Sequence, residues 1–114
     1  MGDIERKFEE KLADLKLQYA KRLEEKLQEF ERLSVSMTSG SVDDDGSILT
    51  EIQQNAHKLA GSAATFGFPE LGDAAADLEE FCVHLTAGGG PVGQDQRDQV
   101  AERISAFRTL MSKD

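Results

Sequence analysis

At 114 residues the chain has room for one domain around one core. Its single cysteine, Cys82, excludes an internal disulfide framework, and no apolar run approaches the roughly 20 residues of a membrane span, so a soluble, cytoplasmic protein is expected. The formal charge of −9 is concentrated between residues 37 and 93, where Lys58 stands alone against 9 Asp and Glu side chains. Binding a phosphate backbone needs clustered Lys and Arg, and this distribution argues against nucleic acid as a partner.

From Asp3 to Thr38 there is no Gly or Pro. Ile4, Phe8, Leu12, Leu15, Tyr19, Leu23, Leu27, Phe30 and Leu33 recur at three- and four-residue intervals, which predicts one long amphipathic helix. The pattern tends to an eleven-residue repeat, as from Ile4 to Leu15 and from Tyr19 to Phe30, so the stripe suits a nearly straight helix and not a heptad seam. "TSGSVDDDGS" then reads as a loop, with Ser47 as the cap of a second helix striped by Ile48, Leu49, Ile52, Ala56, Leu59, Ala63 and Phe66. "DDDG" lacks the alternating ligands and terminal Glu of a calcium loop.

Gly67 ends the second helix, Pro69 suits the start of a third, and Leu71, Ala74, Ala75, Leu78, Phe81, Cys82 and Leu85 form its apolar stripe. "AGGGPVGQ" breaks that helix, and a fourth follows with Val100, Ile104, Phe107 and Met111. Four helices that are each apolar on one face must pack together, and short connections make neighbours antiparallel. The expected fold is therefore all-α, a single antiparallel four-helix bundle whose long first helix overhangs at its N-terminal end.

On a wheel of about 100° per residue, His57 lies opposite Ile48, Ile52, Leu59, Ala63 and Phe66 and points outward. Its neighbours there are Thr50, Gln53, Gln54, Ala60, Gly61 and Ala64, mostly small or uncharged. Glycine inside a helix costs about 0.5–1 kcal/mol relative to alanine, so Gly61 needs a compensating reason, and close approach of another molecule's backbone is one. Lys58 is the adjacent cation. An isolated, accessible imidazole can accept a group but has little machinery for turnover. His84 has no such surroundings and no spacing for a shared metal site with His57, and Cys82 sits in an apolar stripe as a small core residue.

The stretch from Asn55 to Phe81 resembles the histidine-containing phosphotransfer (HPt) domains of two-component phosphorelays. Their motif is a His, a Leu two residues on, then a Lys and a Gly, and a second Gly ten residues after the His. Here those positions read His57, Leu59, Ala60, Gly61 and Gly67, followed by "LGDAAADLEEF". The resemblance implies that His57 is the phosphoryl acceptor through Nε2. It places Glu79, 22 residues later, where some members hold the other ring nitrogen. Gln53, Ala60, Gly61 and Ala64 fall on the docking surface, and Gln54 falls beside the phosphoryl group. The family's usual lysine is replaced by Ala60, and Lys58, about 100° round the helix, is the nearest substitute.

The partners implied are response-regulator receiver domains and a sensor or hybrid histidine kinase. The receiver would supply the acceptor Asp, a lysine and Mg²⁺, with no cofactor or metal on this chain. A nucleotide-binding glycine loop followed by Lys-Ser/Thr is absent from the sequence, which points to a phosphoryl carrier and not to an autonomous kinase. A monomer is the expected state, with the overhanging first helix as the route to a dimer. The alternative is a non-catalytic helical adaptor or dimerisation module.

Overall fold

A computed structural model of the protein describes residues 2–38, 47–88 and 92–112, without the side chains of Phe66 and Ser112. Residues 39–46, most of the expected first loop with its "DDDG", lie outside the described residues, as do residues 89–91 of the second loop and the Phe66 side chain assigned to the core. The described chain forms α1 (Gly2–Thr38), α2 (Ser47–Ala63), a single 3₁₀ turn (Ala64–Phe66), α3 (Pro69–Ala87) and α4 (Gln94–Ser112). Ser47, expected as the cap of α2, is its first helical residue, a one-position offset.

Cross-helix contacts give the direction of each neighbour. Arg97 of α4 lies near the Met37 carbonyl, and Arg108, further along, reaches back to Glu31 and Glu24, so α1 and α4 run antiparallel. His57 meets Glu79 while Ala60 and Ala63 lie close to Gly72, which makes α2 and α3 antiparallel as well. The core is the meeting of the predicted stripes: Leu23, Leu27, Phe30 and Leu33 of α1, Ile52, Ala56 and Leu59 of α2, Leu71, Ala75, Leu78 and Cys82 of α3, and Val100, Ile104 and Phe107 of α4. Phe30 and Phe107 meet edge to face at 5.2 Å between ring centroids. This geometry directs the positive ring edge at the negative face.

α1 has 37 residues against 17 to 19 in the other helices, and at about 1.5 Å per residue it is about twice their length. The bundle covers it only from Tyr19 onward: Tyr19 stacks near Phe68 and its hydroxyl is 3.0 Å from Ser62 Oγ at the α2–α3 turn. Ile4, Phe8, Leu12 and Leu15 continue the same stripe beyond the bundle and remain exposed. The overhang expected from the sequence is present. None of the described helices is long and apolar enough to cross a membrane.

Two glycines set the α2–α3 corner. Gly67 has φ +96°, a left-handed conformation that residues with a Cβ rarely adopt, and its N–H reaches the Ala64 carbonyl to close the 3₁₀ turn. Gly72 is buried where α3 approaches α2: a Cβ there would lie 3.5 Å from the Ala64 nitrogen and 3.6 Å from the Ala60 carbonyl.

Candidate functional site

The burial of Ile52, Ala56, Leu59 and Ala63 fixes the rotation of α2 and turns His57 to solvent, as the wheel requires. Its side chain is 75% exposed. The ring does not hang free, because Nδ1 lies 2.7 Å from Glu79 Oε2 of α3. An ionised carboxylate has only acceptors, so Nδ1 carries the hydrogen and donates it, and in the neutral ring this leaves the Nε2 lone pair free of a proton.

Glu79 is placed by its own helix. Leu78 and Cys82, fully buried, anchor α3 on the core, and Glu79 at the edge of that stripe is partly covered. Arg103 of α4 braces the positions on either side: its Nε is 3.1 Å from Asp77 Oδ2, and its guanidinium stacks 3.9 Å from the Phe81 ring centroid. Burial pushes the Cys82 thiol up to about 12, with neighbouring Glu79 adding to the rise and Arg103 opposing it. The thiol is therefore protonated and inert near neutral pH.

The sequence-derived site residues divide into two groups. His57, Glu79, Lys58, Gln53 and Gln54 line one shallow depression. Gly61, Ala60 and Ala64 do not line it; they continue along the C-terminal end of the helix. Gly61 is exposed, and a Cβ built there meets no atom within 4 Å, so nothing among the described residues requires glycine at that position. Ala60 is half-buried against the core, because Gly72 lets α3 come close to it. Ala64 is exposed but belongs to the 3₁₀ turn, past the last residue for which a 100° wheel applies.

Sequence reasoning missed two cations. Arg22 and Lys26 of α1 line a groove of about 330 Å³ between α1 and α2 and share it with Lys58, so the one lysine of the acidic central segment has basic neighbours from elsewhere in the chain. Their signal was the four-residue spacing of Gln18, Arg22 and Lys26, which puts all three on one face of α1.

A family model described as "Hpt domain" matches residues 9–110. Comparisons with curated proteins and with solved structures give no match. The family match takes in most of α1, both ends of the His57–Gly67 motif and nearly all of α4, so the chain belongs to the Hpt domain family, the histidine-phosphotransfer modules of two-component phosphorelays.

Proposed function

We propose that this chain carries a phosphoryl group on His57 Nε2, receiving it from a receiver-domain aspartyl phosphate or from a sensor or hybrid histidine kinase and passing it to another receiver. The observation that carries this reading is the 2.7 Å contact between Nδ1 and Glu79 beneath an otherwise open ring. With the hydrogen held on Nδ1 and a receiver as donor, Nε2 attacks phosphorus in line, the bond from phosphorus to the aspartyl carboxylate oxygen breaks, and that carboxylate leaves with the electron pair. No base is needed, since the attacking nitrogen carries no proton. The phosphorylated ring gains positive charge, which Glu79 offsets across the hydrogen bond. Return of the group to a receiver Asp is the same displacement reversed, with Mg²⁺ and a lysine expected from the receiver.

Gly61 supports the docking half of this reading. A helix-weakening glycine that the packing of the described residues does not require has its reason in a partner's close approach. Gln53 beside His57 and Ala64 beyond Gly61 extend that surface, and Lys58 and Gln54 border the space the phosphoryl group would occupy. With Ala60 in place of the family's lysine, charge neutralisation falls to Lys58 and to the receiver.

Incubation with a panel of phosphorylated receivers tests the proposal. Acid-labile label should appear on the wild-type chain and be absent from His57→Gln, while receiver binding persists. Label retained in His57→Gln would move the acceptor elsewhere. Receiver binding without any transfer to the wild type would favour the adaptor reading, for which the exposed stripe of α1 is the supporting feature.

A further inference from the structure

We infer that the overhanging segment of α1 is an antiparallel pairing surface for a second copy of this chain. Ile4, Phe8, Leu12 and Leu15 are 76%, 68%, 43% and 46% exposed and occupy an arc of about 80° on the helix, in line with the stripe that the bundle buries from Tyr19 onward. Such a stripe normally faces a partner. The charges along its two edges select which one.

Glu5, Glu9 and Lys16 border the stripe on one side, and Lys7, Lys11 and Asp14 border it on the other. In an antiparallel pair each edge meets the same edge of the other copy. With Phe8 set opposite Leu15 of the second copy, Ile4 falls opposite the second copy's Tyr19 and the two Leu12 side chains meet at the centre. The same register brings Glu9 to Lys16 on one edge, and Asp14 to Lys7 and Lys11 on the other, twice each by symmetry. Both edges are self-complementary in the register that matches the apolar residues. A parallel, in-register pair sets opposite edges together and brings Lys11 beside Lys16, a like-charge contact.

In the antiparallel register the body of the second copy begins level with Ile4, so the two bundles stand at opposite ends of the shared helix pair. Pairing is independent of phosphotransfer, because none of the paired residues lines the His57 depression.

Sedimentation equilibrium of the full chain, from low micromolar to several hundred micromolar, should show reversible dimerisation. Phe8→Glu combined with Leu12→Glu should leave a monomer of unchanged helicity and unchanged phosphoryl acceptance. Glu9→Lys and Lys16→Glu should each raise the dimer dissociation constant about tenfold or more, and together restore it. Under mild oxidation Leu12→Cys should cross-link to itself and Ile4→Cys should not, since only the central residue meets its own copy. A chain that stays monomeric throughout, a dimer unaffected by the Phe8 and Leu12 changes, or equal cross-linking at positions 4 and 12 would each overturn the inference.

Discussion

The two faces of α2 answer to different demands. Toward the bundle, Leu49, Ile52, Ala56, Leu59 and Ala63 are buried against the neighbouring helices. Toward solvent, His57 and Gly61 contribute almost nothing to packing: the ring is mostly exposed, and the glycine has open space where a side chain would stand. Stability resides on one side of the helix and the proposed chemistry on the other, so the outer face can be altered with little effect on the inner. The core face supplies the rotation that aims His57, and the Glu79 carboxylate on α3 supplies its tautomer. Positioning, not local reactivity, is what the fold contributes.

The largest effect should come from the inner face. Ile52→Ala removes a fully buried side chain and should cost about 2–5 kcal/mol, read by chemical unfolding. A loss below about 1 kcal/mol would mean that this face is not the anchor. On the outer side, Glu79→Ala should slow phosphoryl acceptance about tenfold, the worth of one charge-assisted hydrogen bond of about 1.5 kcal/mol, while thermal stability changes little. An equal loss of stability would make Glu79 a packing residue. Gly61→Ala should separate the faces further, raising stability by about 0.5–1 kcal/mol through helix propensity while slowing transfer from receivers. Unchanged transfer in Gly61→Arg would remove Gly61 from the docking surface.

Smaller effects concern charge. Lys58→Ala should shorten the lifetime of phospho-His57 about two- to fivefold, the range of an exposed ion pair, and Ala60→Lys should lengthen it; acid-quench time courses read both. No change in either would assign neutralisation to the receiver alone. The smallest effect lies on the far side of the bundle, where the hydrogen bond from Arg108 holds Glu31 below its usual carboxyl value of 4.5 despite some opposing desolvation. A depressed carboxyl stabilises the folded state above the unfolded value and loses that contribution as pH falls through the folded one. Glu31→Gln should therefore narrow its stability difference from wild type as pH drops below about 4.5, an effect that salt also weakens.

Periodicity made most of this legible without coordinates. The helices, the outward His57, the Gly67 turn and the overhang of α1 all follow from local spacing, because a helix repeats its own geometry and an apolar stripe must find cover. The family motif supplied Glu79, and the 2.7 Å contact places it against the ring. What periodicity could not give depends on how helices meet. Ala60 sits between faces on the wheel and is half-buried only because α3 draws near at Gly72. Ala64 drifts off the wheel because the 3₁₀ turn winds more tightly than 100° per residue allows. Arg22 and Lys26 share a groove with Lys58 only through the α1–α2 pairing, which no local pattern encodes.

Gly72 also acts as a fulcrum. It is the point at which α3 rests on the α2 backbone, and Glu79 lies seven residues, or about 10 Å, further along the arm. A methyl group at the pivot would make only ordinary contacts at 3.5–3.7 Å, whereas a branched or larger side chain would press on the α2 backbone and tilt the arm. The carboxylate would swing out of reach of Nδ1, although no residue of the depression had been touched. The pairing of His57 with Glu79 is in this sense gauged by how small the side chain of residue 72 is.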